Sequence, residues 1–451
     1  MEKEIISFNK NLSESSKEIS NANDLINGNL SKALGDIFGQ TTKIQFSETT
    51  FERIVEALQI VFFPKVLNIH QSEVFRDLSQ NSLGYNNLIY LATVLAEFEG
   101  LAKENDSPRI MLIEEPEAHL HPQLQIRLMK YLEQQAEKRN IQIIVTTHSP
   151  TITSTVSLEK LRVLSFTVDN NIEFTNVSDC KIESDSLHFL NRWLDITKSI
   201  LFFSKGVVLV EGLAEAILVP KLAEYVIRKI KETNKELNIM ALDEAGISIV
   251  NINGISFDHF FQLYRGYSIC YPDKSKADNK RFKEKTQFCK GEIKVVSRMP
   301  MRCVGLTDND PEEGIKPTKD NIVPGNNPRL YLIDQLKNHS GACRMFTNMK
   351  TFEYDLAMEG ENIEVMLDVF LEELDTDGEV RTRFEDYKKN IRLFVKTDIA
   401  FDLLKQIDNS KLGKGRYAQA LYEKLDPTTI TFEIPNYINQ AITYVLNCKE
   451  G

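Results

Sequence analysis

Two acidic clusters, each directly behind a short apolar run, carry the chemistry of this sequence. Val207-Val208-Leu209-Val210 leads into Glu211-Gly212, and Cys303-Val304-Gly305-Leu306-Thr307 leads into Asp308-Asn309-Asp310. Hard divalent cations bind carboxylate oxygens, and ligands of open α/β sheets collect outside the carboxyl ends of the strands. The pair therefore predicts a magnesium- or manganese-type site on a parallel sheet. Glu215 lies four residues after Glu211, and a helix starting just past Gly212 turns both toward one pocket. Asp308 and Asp310 are two apart, so an extended segment points both to one side. Four such carboxylates can hold one or two cations, and two ions about 4 Å apart stabilise the attacking and leaving oxygens of a phosphodiester. Asp308-Asn309-Asp310 alone reads equally as a hydrated turn; its register with Glu211 and Glu215 favours the metal site.

The elements that must position these groups follow from apolar periodicity. A helix is expected over 213–230, a strand over 247–252 and a helix over 257–264, which with the two acid-bearing strands gives a βαβ rhythm. Residues 360–451 read as mostly helical, with a turn at 411–415. Upstream, 9–38 reads as a polar helix whose seam of Leu12, Ile19, Ile26, Leu30, Leu34 and Ile37 suits either a packing arm or a dimerisation helix. A short strand is expected over 43–46, then irregular chain to Ser79. Leu88, Leu91, Ala92 and Leu95 mark one helix, and Leu124, Leu128, Tyr131, Leu132 and Ala136 a second, opened by Pro122. Buried strands over 109–113 and 141–145 flank the second helix, making another βαβ unit. Residues 166–200 read as a bridge with weak β signals and then a helix.

Composition narrows the class. The chain has 451 residues, enough for about two or three domains of ordinary size. It is 42% hydrophobic and 26% charged, which is a globular rather than a disordered balance. No apolar run approaches the ~20 residues of a membrane span, and the start of the chain carries no secretory apolar core. Six cysteines without CxxC spacing read as reduced thiols, with no zinc site or disulfide framework, so a cytoplasmic protein with no membrane partner is expected. A net charge of −11 advertises no global affinity for nucleic acid. An island over 274–294 concentrates eight lysines and arginines against three acids; it reads as a phosphate contact or simply as a solvated loop.

The segment from Ile110 through Glu114-Glu115-Pro116-Glu117 to Pro122 resembles the Walker B and D-loop region of ABC-type ATPases, in particular those of DNA repair and phage defence. The resemblance implies that Glu114 faces the magnesium water shell, that Glu115 orients the attacking water, and that His148 in Thr-Thr-His-Ser-Pro senses the γ-phosphate. Ser82 and Gly84 of Asn-Ser-Leu-Gly stand where the signature loop belongs, ahead of a helix whose N-terminus can face phosphate. No G-x-x-x-x-G-K-[ST] occurs in the sequence; the nearest stretch, 35–42, has wrong glycine spacing and glutamine for lysine. The chain thus reads as the back portion of such a head, whether a fragment, a split-gene product or a degenerate homologue. It is not expected to hydrolyse ATP alone; ATP enters only if a missing part or a partner supplies the phosphate loop.

Glu211 to Glu215 followed by Gly305-Leu306-Thr307-Asp308-Asn309-Asp310 resembles the Toprim fold of topoisomerases, primases and certain nucleases. Placed after an ABC-type head, it resembles the overcoming-lysogenization-defect (OLD) family of ATP-dependent endonucleases over roughly residues 10–430. That resemblance implies that Glu353 in Thr-Phe-Glu-Tyr-Asp-Leu is a second-metal ligand. It also implies that Lys414 in Lys-Gly-Arg-Tyr-Ala neutralises charge on the phosphate in the transition state. Glu353 as a surface carboxylate and Lys414 as a helix-flanking charge are the plain alternatives, and Asp355 reads as structural. Asn253-Gly254 matches a family turn.

The expected fold is α/β: a partial ABC-type ATPase lobe over 1–175, a linker helix over 176–200, a Toprim domain with a parallel sheet over 201–360, and a C-terminal helical region over 361–451 completing the site. The expected function is a Mg²⁺- or Mn²⁺-dependent DNA endonuclease. Its expected partners are DNA, a second copy or more of the same chain, and a defence-system protein. The competing reading is a catalytically silent remnant that binds DNA or an ATPase partner. Primer synthesis and strand passage are disfavoured because neither a zinc module nor a separate domain with a nucleophilic tyrosine is visible.

Overall fold

The computed structural model describes residues 7–8, 10–11, 16–35, 40–46, 58–63, 76–101, 109–139, 141–166, 171–235, 237–270, 292–373, 378–409 and 412–447. The chain forms two compact units, Met1–Val156 and Ser157–Gly451. Most of the basic island, with Leu12 and Ile37 of the seam, lies outside the described residues.

In the first unit, β1 (Thr41–Phe46), β2 (Leu58–Phe63) and β3 (Arg76–Asp77) form an antiparallel sheet. Two of these strands fall where irregular chain was expected, although Leu-Gln-Ile-Val-Phe-Phe has the β-branched and aromatic content of a strand. β4 (Arg109–Glu114) and β5 (Ile141–Thr146) pair in parallel across the helix Pro122–Arg139. Ile26, Leu30 and Leu34 of the helix Lys17–Leu34 are buried in this unit's core with Leu88, Leu95 and Leu128. The described middle of the seam, Ile26, Leu30 and Leu34, thus packs within the chain.

The second unit begins with an antiparallel ribbon, β6 (Arg162–Phe166) and β7 (Ile172–Asn176), then the helix Ser184–Trp193. β8 (Gly206–Val210) and β9 (Ile247–Asn251) follow, and β10 (Tyr267–Cys270) pairs with β11 (Glu292–Val295). β12 (Arg302–Thr307) and β13 (Cys343–Thr347) complete a parallel sheet of order β13-β12-β8-β9. Every residue of β8 is buried, as a strand covered on both faces must be. Val208, Val210, Val304 and Leu306 face one core, with the helix Leu213–Thr233 and the C-terminal helices. Val207, Leu209 and Cys303 face the other, with the helix Phe257–Tyr264. Gly305 is required here, since a Cβ would sit 2.9 Å from the Phe261 ring and 3.0 Å from that of Phe257. From β8 the chain goes to β9 on one side and later to β12 on the other. The reversal opens a crevice between the carboxyl ends of β8 and β12.

Candidate active site

Glu211 and Asp308 leave the two strands that border this crevice. Leu306 is in register with Val210, so Thr307 arrives beside Glu211. The Thr307 hydroxyl donates to Glu211 Oε1, and the Asp308 amide donates to the same oxygen at 3.2 Å. The Gly254 amide, in the Asn253-Gly254 turn after β9, donates to the Glu211 carbonyl at 2.8 Å. Glu215 stands in the first turn of the helix Leu213–Thr233.

Beyond Asp308 the chain departs from the extended form expected. Asn309 is buried: its amide donates to Asn348 Oδ1 at 2.9 Å and its Nδ2 to the carbonyls of Val323 and Met349 at 2.9 and 3.1 Å. Asp310 then adopts φ 49° and is exposed. The two aspartates are therefore aligned by a buried asparagine and a left-handed turn rather than by strand alternation. Gly325 closes over this loop, because a Cβ there would lie 1.8 Å from the Asn309 carbonyl oxygen. Gly325→Ala is expected to destabilise the protein by about 1–3 kcal/mol; an unchanged melting temperature would show that the loop yields freely.

Glu353 enters from the helix Phe352–Met358 after β13 and is only 4% exposed. Lys414 Nζ lies 3.3 Å from Glu353 Oε2 and 3.5 Å from Asp408 Oδ1. Lys414 stands at the start of the helix Gly413–Lys424, where a turn was expected. Gly415 lets that helix press on the Leu213 helix, since a Cβ would meet Leu213 Cδ2 at 3.0 Å. Asp355 is structural in geometry, accepting from the Met349 and Lys350 amides at 2.8 and 3.1 Å.

The acids work against one another. Burial, then the fields of Glu353 and Glu211, push Glu215 up to about 7. Burial and the charges of Glu215, Glu353 and Glu211 hold Asp308 well above the usual carboxylate range. Glu211, Glu353 and Asp310 are also raised, chiefly by burial. Burial opposes the Lys414 ammonium, yet Glu353, Asp408 and Asp308 outweigh it and raise its pKa. Among the described residues, no three His, Cys, Asp or Glu side chains already converge as a ligand set. The donor chemistry nevertheless fits a hard cation: the donors are all carboxylate oxygens, crowded closely enough to raise one another's pKa.

Sequence reasoning missed Thr307, Asn327 and Asn348. Asn327 Nδ2 donates to Thr307 Oγ1 and the Asp308 carbonyl at 2.9 and 2.8 Å, and Asn348 Nδ2 donates to Asp308 Oδ1. Neither asparagine belongs to a motif; the one local signal is Asn348 just past the end of β13.

In the first unit, Glu114 ends β4 and Glu115 follows with φ 41°, its amide on the Thr146 carbonyl at 3.0 Å. His148 Nε2 lies 3.6 Å from Glu115 Oε1, both side chains exposed. Glu117 Oε1 accepts from Thr147 Oγ1 at 2.6 Å and from the His148 amide at 2.8 Å, joining the ends of the two strands. Ser82 precedes the helix Leu83–Leu101, and Gly84 allows that helix to cross the His119 backbone, where a Cβ would meet the carbonyl oxygen at 2.3 Å.

Comparison with known proteins agrees with this division. Residues 1–153 match the model of an AAA ATPase domain, and residues 202–271 match that of an overcoming lysogenization defect protein-like TOPRIM domain. The OLD nuclease of Thermus scotoductus is 30% identical over 135 residues, which cover 29% of this chain and 25% of that protein. Endonuclease GajA of Bacillus cereus is 25% identical over 240 residues, covering 46% of this chain and 31% of that protein. The matched stretch thus spans between a quarter and a third of these relatives. The C-terminal region of the Burkholderia pseudomallei OLD protein aligns at a TM-score of 0.34 and 23% identity, over 54% of this chain and 98% of that one. No helix among the described residues is long and apolar enough to cross a membrane.

Proposed function

We propose that this chain, an AAA ATPase domain joined to an OLD-like TOPRIM domain and homologous to the OLD nuclease and endonuclease GajA, is a divalent-metal-dependent DNA endonuclease. One observation carries the reading: acids from two adjacent parallel strands and two following helices repel one another at the sheet's switch point. Glu211, Glu215, Asp308, Asp310 and Glu353 would hold one or two Mg²⁺ or Mn²⁺ ions. When bound, the ions supply Lewis-acid stabilisation of the phosphoryl oxygens. The chain's own residues supply the rest. Thr307, Asn327 and Asn348 fix the carboxylates of Glu211 and Asp308 in place. Lys414, paired with Glu353, offers a preorganised ammonium to the negative charge that grows in the transition state. Supercoiled plasmid incubated with the purified chain and Mn²⁺ is expected to be nicked or linearised, and EDTA to stop it. Intact plasmid across Mg²⁺ and Mn²⁺ titrations would refute the reading.

The missing phosphate-loop motif favours a second property. The ATPase-like residues Ser82, Gly84, Glu114, Glu115 and His148 await a lysine-bearing loop that this sequence does not contain. ATP is therefore expected not to bind this chain measurably by calorimetry. Micromolar affinity without a partner would reveal a phosphate-binding loop of another form.

A further inference from the structure

On the Asp310 side of the acidic site, three lysine ammoniums crowd one aromatic ring. Lys405, Lys316 and Lys350 place Nζ at 4.8, 5.1 and 5.2 Å from the Phe401 ring centroid. No two can be further apart than about 10 Å, roughly a Debye length, so their repulsion is only partly screened. They come from separate parts of the chain: the loop after β12, the loop after β13, and the helix Lys396–Asn409, where Lys405 lies one turn beyond Phe401. Helical surface periodicity does not produce such a convergence.

Their neighbours offset the charge incompletely. Lys316 pairs with Asp398, while Lys350 Nζ donates to the neutral carbonyl of Ile315 at 2.9 Å. Asp310 and Glu313 are the acids whose fields reach Lys350, and Lys405 opposes it. Lys405 is exposed and makes no ion pair among the described residues. A single cation over a ring is favourable by about 0.5–1 kcal/mol at an exposed site, but gathering three needs an anion to be useful. The Lys350 carbonyl also accepts the Asp310 amide at 3.1 Å, which ties the cluster to the proposed ligand loop.

We propose that the exposed Lys316 and Lys405, backed by the charge of the buried Lys350, form a subsite for a backbone phosphate of DNA, flanking the phosphate to be cleaved and setting the strand's register over Asp310. The assignment rests on the nuclease reading for its placement, but phosphate binding can be measured apart from cleavage. The test uses the full chain, a fluorescent duplex oligonucleotide and EDTA, with anisotropy read at several salt concentrations. Each phosphate contact contributes about 0.9 to the slope of log Kd against log salt. Lys405→Ala is expected to lower the slope by about 0.9, and Lys316→Ala with Lys405→Ala by about 1.8, with affinity several-fold weaker at each step. Lys229→Ala, on an exposed position four turns into the Leu213 helix, is the charge control and is expected to match the wild type. Lys405→Arg is expected to restore most of the slope. A double variant with wild-type slope and affinity would overturn the subsite, as would an equal loss in Lys229→Ala. A wild type that shows the lysine-dependent slope yet never cuts DNA would support the subsite while sinking the nuclease reading.

Discussion

Replacing Asp308 with asparagine is expected to cut Mn²⁺-dependent plasmid cleavage by about a hundred- to a thousandfold, and at neutral pH without metal to raise thermal stability. Both effects have one cause. Burial and three neighbouring acids hold the Asp308 carboxyl well above its ordinary range. Its ionised form therefore opposes the fold when no cation is present, and under the proposed reading that same unfavourable charge would favour a bound cation. Asparagine keeps the shape, and its carbonyl oxygen can still accept from Asn348. Undiminished cleavage by the variant would show that the chemistry lies elsewhere. A metal-free variant less stable than the parent would show that the buried carboxylate is a net support of the fold.

The strand ends were legible because burial on both faces leaves a mark in sequence. Val207–Val210 and Cys303–Leu306 are apolar without alternation, as central parallel strands must be, and an acid directly after each stands out. β13 left no such mark. Cys-Arg-Met-Phe-Thr contains an arginine that survives there only by turning its guanidinium back on the carbonyls of Leu336, Ser340 and Cys343. The spacing of Asp310 from Asp308 is plain in the sequence, but its left-handed backbone is not. Local spacing cannot show that Asn309 would be drawn inward by Val323, Asn348 and Met349. Asn327 and Asn348 escaped for the same reason: they reach Asp308 from loops, and only the β8–β12–β13 pairing brings those loops together. Glu353 and Lys414 carried no periodic signal and rested on family resemblance alone.

Metal and pH are expected to act on stability as one linked variable. Glu215 holds its proton up to about 7, whereas an unfolded glutamate releases it near its ordinary value of 4.5. Between those values the folded chain binds more protons than the unfolded one, so stability falls as pH rises through this window and levels off above it. The shift corresponds to about 3 kcal/mol, a drop of several degrees in the melting temperature of the second unit. Asp355, also pushed up to about 7 chiefly by burial, adds a loss of the same sign. The two separate on adding a divalent ion. A cation bound among Glu211, Glu215 and Asp308 competes with their protons and stabilises only the form that holds it. Asp355 is engaged by backbone amides and keeps its own pH dependence. Mn²⁺ is therefore expected to raise the melting temperature strongly at pH 8 and little at pH 5, and Glu215→Gln to reduce both the metal-free pH slope and the metal effect. Equal stabilisation at both pH values would mean that the ion binds away from these acids. A metal-free melting temperature unchanged from pH 5 to 8 would mean that they are not held protonated by the fold.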